Sequence, residues 1–439
     1  MNLSRTQFTI VIGFGFILGL ILIVGLALAV APLPPVAQLL PTGAAVTPST
    51  RGVATTRLTA TAATARPTAT ATTARPTTTV IVDRRPTRTP TPTLDPHAPT
   101  ATPCRAEWCS VLGVQMDAQA PAAPTPQRST TLGYGIQIHG CSANSKSESI
   151  GLVAAADFNW VKQQVRWDEI EGVKGKPGWG CVDEVVDTAQ AVGLSVLLSI
   201  NTIPTWAKTA AGAPQAAAFA DFAALVARRY RGRVAAIEVF NEPNLAIEWG
   251  PRIDPAGYAT VLAAAYPRIK QVDPSITVIS AGLAPTRWND WGAALDDLKF
   301  LRAIAGTLQT SADCVGIHFN DGRSSPLAAG SPFQQLVGDY RAIIDKPLCL
   351  TEFGIAAPLP GQPPPAGFEW SANTTDSDAA HWLVEGFTWA QQHPGVFQLI
   401  VVWNLDYYSS PDDPNALYAL LNKTELRPAY EALRLMEKK

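Results

Sequence analysis

The chain is poor in histidine and lacks the motifs that commonly bind metals, phosphates or nucleic acids. Its 439 residues include five histidines, and no two of them have the His-x-x-x-His spacing of a metal-hydrolase helix. No glycine-rich phosphate loop or cofactor-binding lysine pattern occurs in its second half. No basic stretch interleaved with aromatic residues occurs beyond residue 131. We therefore expect no catalytic metal, no cofactor and no nucleic-acid partner.

One apolar run stands apart from the rest of the chain. Residues 8–31 are 24 consecutive residues without a charge, long enough to cross a hydrocarbon layer of about 30 Å. Arg5 precedes the run, and the positive-inside rule puts residues 1–7 in the cytoplasm. Because a cleavable signal peptide has an apolar core of only about 7–15 residues, the run favours a retained transmembrane anchor, although Ala27-Leu28-Ala29 resembles a cleavage site. The rest of the chain is predicted to be extracytoplasmic. It would stay anchored to the membrane if the run is retained and would be secreted if the run is cleaved.

Residues 32–130 are dominated by Thr, Pro and Ala, and the pentapeptide at 64–68 is repeated at 73–77. Such a composition cannot bury enough apolar surface to offset chain entropy, so we predict a disordered linker. The linker carries nine Arg and four acidic residues, a net charge of +5 that would serve either attraction to anionic lipid or polymer, or simple solubility. Residues 131–439 carry the opposite sign, with a net charge of −8.

The six cysteines are an even number, which suits disulfides in an oxidising compartment. Reduced, buried thiols are the alternative, and metal binding is the weaker one. Our predicted pairs are Cys141 with Cys181, Cys314 with Cys349 and, as a small loop at the end of the linker, Cys104 with Cys109.

Beyond residue 131, short apolar runs alternate with helical patterns, as in parallel βα units. Amphipathic helical patterns cover 214–229, 255–272 and 376–392, among others. Eight strand-helix pairs in residues 131–439 match a (β/α)8 barrel of the α/β class, in which the chemistry lies on the loops after the C-terminal ends of the strands. The predicted strands lie near 133–138, 158–165, 194–200, 234–241, 276–281, 314–319, 347–352 and 398–404.

Two short acidic motifs end apolar runs. They are Ile237-Glu238-Val239-Phe240-Asn241-Glu242-Pro243-Asn244 and Leu350-Thr351-Glu352-Phe353-Gly354. Glu242 ends predicted strand four and Glu352 ends predicted strand seven, 110 residues later, which leaves room for about three βα repeats. Two carboxylates at strand ends of one barrel suggest glycoside hydrolysis, in which one attacks the anomeric carbon and the other moves a proton. Surface charge or a structural salt bridge is the alternative.

These motifs resemble those of clan A glycoside hydrolases, most closely family 39 or a family 5 relative. The string from Glu238 to Leu245 carries the resemblance, with support from residues 160–167, 203–207 and 402–404. The resemblance covers residues 131–439. It implies a TIM barrel and a retaining mechanism, with Glu352 as the nucleophile and Glu242 as the acid/base.

The resemblance also implies several contacts with the sugar. Asn241 would bond the 2-hydroxyl, Trp403 would form an apolar floor, and His318 would orient the nucleophile or bind a hydroxyl. His139 and Trp206 are further candidates from the loops after strands one and three, and for all of these aromatic and histidine side chains plain packing is the alternative.

The chain departs from the family at two positions. Clan A enzymes commonly carry a Tyr just after the strand-six His, whereas here Asn320 or Tyr407 would have to bond the nucleophile. They also commonly carry an Arg on strand two, where Lys162 stands, with Arg166 four residues later as a second candidate. Lysine keeps the charge but loses the bidentate fork.

Two functional hypotheses follow. The first is a membrane-anchored, extracytoplasmic retaining hydrolase that cleaves the O-glycosidic bonds of a poly- or oligosaccharide. The second is a non-catalytic glycan-binding or adhesion module on a degenerate barrel. The presence of both glutamates favours the enzyme, because a binding module has no need of a nucleophile.

Overall fold

The computed structural model describes residues 131–141, 146–289, 293–407 and 413–439. The predicted anchor at 8–31, the predicted linker at 32–130 and the cysteines at 104 and 109 lie outside these residues. None of the helices in the described ranges is both long enough and apolar enough to cross a bilayer.

Eight parallel strands form the barrel, in the order β5-β4-β3-β2-β1-β8-β7-β6. A parallel bridge between Ile279 and Cys314 joins the two edge strands and closes it. The predicted (β/α)8 barrel is therefore confirmed. The strands are β1 (Gly133–Ile138), β2 (Trp160–Arg166), β3 (Ser195–Asn201), β4 (Ala236–Val239), β5 (Thr277–Ser280), β6 (Val315–Asp321), β7 (Leu348–Ile355) and β8 (Phe397–Val402).

Helices fill the crossovers and cover the outside of the barrel. Local signals set several of their ends: Pro255 is the first residue of one helix, and Thr375 and Asp378 form a capping box at the start of another. The helices are α1 (Lys146–Ala155), α2 (Trp167–Ile170), α3 (Gly180–Ala191), α4 (Ala216–Arg229), α5 (Ala246–Trp249), α6 (Pro255–Val272), α7 (Asp297–Ser311), α8 (Pro332–Ile343), α9 (Asp376–Gln392) and α10 (Pro428–Leu435). Thr205–Ala207, Glu369–Ser371 and Pro414–Leu417 are 3₁₀ turns, and β9 (Leu421–Asn422) pairs with β10 (Glu425–Leu426) in a short hairpin.

The barrel interior is layered. Near the N-terminal ends of the strands it is filled by apolar side chains, with Trp160 packed against them. Glycine on β1 makes room for this ring, since a Cβ at Gly133 would lie 2.8 Å from the Trp160 indole. Alternation along each strand points every second side chain inward, so Lys162 and Glu238 lie one layer further toward the C-terminal ends. The apolar layer comprises Leu197, Ala236, Ile279, Cys314, Cys349, Leu399 and Val401.

Two disulfides lie at opposite ends of the barrel, and both were predicted. Cys314–Cys349 joins the starts of β6 and β7 within the apolar layer. Cys141–Cys181 ties the loop after β1 to the start of α3, at the C-terminal end of the strands. No free cysteine remains among the described residues.

Candidate active site

Glu242 and Glu352 both lie at the C-terminal end of the barrel. Glu242 comes three residues after β4, in the turn that follows the strand, because β4 ends at Val239 and not next to Glu242 as predicted. Glu352 lies within β7 instead of ending it, because pairing with β6 continues through Asp321 and Ile355. Both carboxylic side chains are buried. Their nearest oxygens lie within 4.8 Å of each other.

The backbone around Glu242 has an unusual conformation. Phe240 and Glu242 have positive φ angles of 77° and 39°, which L-residues rarely adopt and which cost of order 1–3 kcal/mol each. The amide of Glu242 donates to the carbonyl of Gly282 at 3.1 Å. Asn244 exchanges two hydrogen bonds with the backbone of Ala284, at 2.8 and 3.0 Å. These contacts with the loop after β5 hold the turn and aim the Glu242 carboxyl into the barrel mouth.

His318 on β6 lies between the two glutamates. Its Nδ1 is 2.9 Å from a Glu242 oxygen and 3.5 Å from a Glu352 oxygen. Its Nε2 is 3.1 Å from the Thr351 hydroxyl. Burial, followed by the charge of Lys162, lowers the pKa of His318 well below its ordinary value, so the ring is neutral.

Glycine is required beside this imidazole. A Cβ at Gly282 would lie 2.1 Å from His318 Cδ2, which no side chain could tolerate. The Ala281-Gly282 sequence after β5 thus fits the ring into the site.

Lys162 is completely buried beneath the nucleophile candidate. Its Nζ lies 3.0 Å from Glu238 and 3.6 Å from Glu352, and it donates to the Thr351 carbonyl at 3.2 Å. The family's Arg position on strand two is therefore occupied by a cation that reaches Glu352. Because Glu238 is also fully buried, the lysine shares its charge between two carboxylates.

The two glutamates differ in their electrostatic surroundings. Burial, together with the charges of Glu352 and Glu248, raises the pKa of Glu242 well above its ordinary value. Burial also raises the pKa of Glu352, to about 7, although the Lys162 charge and the Asn320 hydrogen bond oppose that rise. Lys162 and Asn320 contact Glu352 and favour its ionised form, whereas the charge of Glu248 adds to the cost of ionising Glu242. These contacts favour Glu352 as the carboxylate and Glu242 as the proton donor.

Asn320, and not Tyr407, contacts Glu352. Its amide Nδ2 donates to a Glu352 oxygen at 3.1 Å. A Cβ at Gly354 would lie 2.7 Å from Asn320 Oδ1, so this glycine leaves room for the amide. Tyr407 instead packs its ring on the edge of His139, and its backbone amide donates to Asn404 at 2.7 Å. Of the two alternatives at the missing tyrosine position, the structure favours asparagine.

Trp403, His139 and Tyr407 form one aromatic group after β8 and β1. The His139 ring lies 5.5 Å from that of Trp403 and 4.4 Å from that of Tyr407, each in an edge-on arrangement. Asp406 accepts a hydrogen bond from the His139 amide at 2.9 Å and approaches its ring nitrogen at 3.4 Å. His139 thus supports the Trp403 ring from the side. The peptide bond between Trp403 and Asn404 is cis.

Arg166 and Trp206 make their observed contacts with residues other than the two glutamates. The Arg166 guanidinium is directed toward Asp168 and Glu169, at 3.6 and 2.5 Å, although its charge still lowers the pKa of Glu248. The Trp206 indole donates to the Glu171 carbonyl at 2.8 Å and packs on Trp167. For Trp206 the structure thus records packing contacts.

Three further polar residues belong to the site, and the sequence analysis did not select them. Glu238 had a signal, since it stands two residues after inward-facing Ala236 on the same strand. Thr351 shared its motif with Glu352. Glu248, on α5, had no such signal in the sequence. Its Oε1 accepts a hydrogen bond from Asn241 at 3.3 Å, and this contact depends on the turn between β4 and α5.

The described residues include one group that could ligate a metal. Its donor atoms, on Glu242, His318 and Glu352, lie within 4.8 Å of one another. An imidazole and two carboxylates suit a divalent cation in principle. Here, however, the ammonium of Lys162 lies 3.6 Å from Glu352 and would repel a second cation. The arrangement is better suited to proton transfer.

Comparisons with known proteins agree with the fold of the barrel. Residues 120–300 match the family model of cellulase (glycosyl hydrolase family 5), a span that includes Glu242 and ends before Glu352. A family 39 glycoside hydrolase from the gut symbiont Bacteroides cellulosilyticus WH2 superposes with a TM-score of 0.52 at 18% identity, over 72% of this chain and 66% of its own. The resemblance to clan A glycoside hydrolases is confirmed.

Two more solved structures share the barrel. The exo-β-1,4-mannosidase Op5Man5 from Opitutaceae bacterium strain TAV5 aligns at 16% identity and a TM-score of 0.51, over 69% of this chain and 58% of its own. XacCel5A in complex with cellopentaose aligns at 14% identity and a TM-score of 0.50, over 70% of this chain and all of its own. The chain thus spans about two thirds or less of the hydrolase and the mannosidase. No curated protein matches it. At identities this low, the superpositions establish the fold alone.

Proposed function

We propose that the barrel is a retaining glycoside hydrolase acting on an O-glycosidic bond of a poly- or oligosaccharide. The observation that carries the proposal is the pair of buried carboxyls, Glu242 and Glu352, with oxygens within 4.8 Å and different partners. Retaining glycosidases hold their carboxyl groups about 5–5.5 Å apart, whereas inverting ones leave about 6.5–9.5 Å for a water molecule. The short separation supports double displacement.

In the first step, the ionised Glu352 attacks the anomeric carbon while Glu242 gives its proton to the leaving oxygen. A bond forms between Glu352 and the sugar, and the glycosidic bond breaks. In the second step, Glu242 takes a proton from water, the water oxygen attacks the anomeric carbon, and Glu352 leaves as a carboxylate. Once Glu352 is glycosylated its charge is gone, so the pKa of Glu242 falls and the residue can act as a base.

The neighbouring groups serve these two steps. Lys162 and Asn320 stabilise the Glu352 carboxylate before attack and again when it departs. The neutral His318 can accept a hydrogen bond from Glu242 when that carboxyl is protonated, and donate to it when it is ionised, because an imidazole offers either role at Nδ1. Trp403 would provide the apolar floor under the sugar, and Asn241 would bond a hydroxyl beside the cleaved bond.

The same proposal places the barrel outside the cytoplasm. Two disulfides within residues 131–439 support an oxidising compartment. The apolar run at 8–31 would anchor the chain, or direct its secretion if cleaved. An extracellular poly- or oligosaccharide is the corresponding substrate; among the similar structures, one is named as an exo-β-1,4-mannosidase and another holds cellopentaose.

The proposal is tested with 2-deoxy-2-fluoro glycosides that carry good leaving groups, incubated with the full chain and followed by intact mass and peptide mapping. We expect a covalent sugar on Glu352. The Glu352→Gln variant should take no label and lose at least about 10⁴-fold in kcat. Glu425→Gln, at an exposed carboxyl on β10, is the matched control and should label like the wild type.

A glycan-binding module without catalysis is the alternative. Such a module would bind oligosaccharides in calorimetric titrations and give no label with any fluorosugar of the panel. Its oligosaccharide affinity would be unchanged by Glu352→Gln. Label on another carboxyl would keep the reaction class and overturn the assignment of the nucleophile.

A further inference from the structure

A third carboxylate lies beside the two proposed catalytic ones. Glu248 is on α5, four residues after Asn244, and is half-buried at the mouth of the barrel. Its Oε1 lies 3.3 Å from Asn241 Nδ2. The charge of Glu248 contributes to the raised pKa of Glu242, and the charge of Glu352 contributes to the raised pKa of Glu248. Glu248 is therefore part of the same cleft.

Glu248 has no cation of its own. Among the described residues, no Lys, Arg or His nitrogen lies within 4.0 Å of its carboxylate. Lys162 is engaged by Glu238 and Glu352, and Arg166, whose charge acts on Glu248 from beyond that distance, is paired with Glu169. Burial accordingly raises the pKa of Glu248 to about 7. The Asn241 amide donates to this half-buried carboxylate without supplying a charge. Carboxyl groups with raised pKa values concentrate at functional sites.

The neighbouring amide offers the same chemistry. Asn241 is buried, and because its Nδ2 is directed at Glu248, its Oδ1 is left without a hydrogen-bond partner in the described part of the chain. Asn241 Oδ1 and the Glu248 carboxylate are both acceptors. A ligand that satisfies them must donate hydrogen bonds, and a positively charged donor would satisfy both the geometry and the charge.

We propose that Glu248 is a specificity-determining residue that recognises a protonated amine on the sugar next to the cleaved bond, so that the cleft prefers amino-sugar glycosides to neutral ones and disfavours acidic ones. This inference rests on the proposed glycosidase function. It names a substrate class, glycans with free amino groups. The net charge of −8 on residues 131–439 would further attract a cationic polymer.

The test compares matched pairs of 4-nitrophenyl β-glycosides that differ only in a 2-hydroxyl or a 2-amino group, in the gluco, galacto and manno series, at a pH below that of amine deprotonation. The full chain and its Glu248→Gln variant are assayed on each pair. Glutamine keeps the size and the acceptor that faces Asn241 and removes only the charge. We expect the ratio of kcat/KM values, amine over hydroxyl, to exceed one in the wild type and to fall about tenfold or more in Glu248→Gln.

Two further variants isolate the effect. Glu248→Asp keeps the charge and should retain most of the preference. Glu184→Gln removes a carboxylate that pairs with Lys146 on the surface, and its ratio should stay within about twofold of the wild-type value. A purely structural Glu248 would change both substrates equally and leave the ratio constant.

Two results would overturn the inference, and they differ from each other. If the wild type cleaves glycosides but the ratio is unchanged in Glu248→Gln, the specificity role is wrong and the proposed function stands. If the wild type cleaves none of the glycosides and takes no fluorosugar label, the proposed function fails, and the inference fails with it.

Discussion

The two ends of the barrel interior are built from the same strands and have opposite character. At the N-terminal end, the inward-facing residues are apolar and two of them, Cys314 and Cys349, form a disulfide. One layer further along the strands, the inward-facing residues include Lys162 and Glu238. A distance of two residues on β4, from Ala236 to Glu238, separates a hydrophobic layer from a buried ion pair.

The difference shows how the barrel divides stability from chemistry. The apolar layer gains free energy from burial and needs no special geometry. The polar layer contains charges that are costly to bury, and each one is tolerated only because it contacts an opposite charge or a hydrogen-bond donor. Substitutions at one end should therefore change stability alone, whereas substitutions at the other should change activity as well.

The largest effect is expected from Lys162→Met at the polar end. Removing the cation leaves Glu238 and Glu352 buried side by side, which should lower the free energy of unfolding by about 3–5 kcal/mol. It should also lower kcat about 10²–10³-fold, because the nucleophile loses its stabilising charge. Denaturant unfolding and steady-state kinetics measure the two quantities.

A double variant separates the two losses. Lys162→Met with Glu238→Leu replaces the ion pair by apolar side chains, so most of the stability should return while activity stays low. Recovery of full activity by the double variant would mean that Lys162 acts only on stability, contrary to the role assigned to it beside Glu352.

The disulfides provide the direct comparison between the two ends. Replacing Cys314 and Cys349 by alanine opens a loop of 35 residues and should lower the free energy of unfolding by about 3–4 kcal/mol, with kcat within about twofold of the wild type. The same replacement of Cys141 and Cys181 should cost similar stability and also reduce kcat. Activity should fall because the loop tied by this disulfide begins with His139. The Gly140 amide, next to Cys141, donates to the Gln163 side chain at 2.9 Å and holds the same loop to β2.

Thermal and denaturant unfolding in parallel with kinetics would decide this pair of variants. Equal loss of activity from both disulfides would contradict the separation of roles between the ends of the barrel.

A smaller effect is expected from Asn320→Ala. The variant loses a hydrogen bond to the charged Glu352 carboxylate, which should lower kcat/KM about tenfold to hundredfold. Glu352 must be ionised to attack, so its pKa of about 7 sets the acidic limb of the pH-rate profile. Because Asn320 lowers that pKa, its removal should move the acidic limb to higher pH. The basic limb, set by Glu242, should move less.

The matched control for the pH profile is Asn422→Ala, in the short β9 hairpin. Its profile should superimpose on that of the wild type. An acidic limb that moves to lower pH in Asn320→Ala would show that Asn320 does not stabilise the Glu352 carboxylate.

The sequence predicted much of the fold because the relevant signals are local. Alternating apolar runs and helical periodicity predicted all eight strands, and helices α6 and α9 with the observed bounds. It also predicted both disulfides, as the cysteines at 314 and 349 stand at the starts of runs that had been interpreted as neighbouring strands. Two strands differ most from their predicted bounds: β4 (Ala236–Val239) is shorter than the predicted 234–241, and β7 continues past the predicted end at 352 to Ile355, where its last residues pair with β6.

The amino-acid sequence by itself determined the barrel and the two candidate carboxylates, because periodicity and short motifs are written in consecutive residues. Only the tertiary structure decided which groups surround them. It chose Asn320 over Tyr407 as the partner of Glu352, brought Lys162 between Glu238 and Glu352, and directed Arg166 and Trp206 elsewhere. These contacts join residues far apart in the chain, and their distances are set by the closure of the barrel, which no local pattern records.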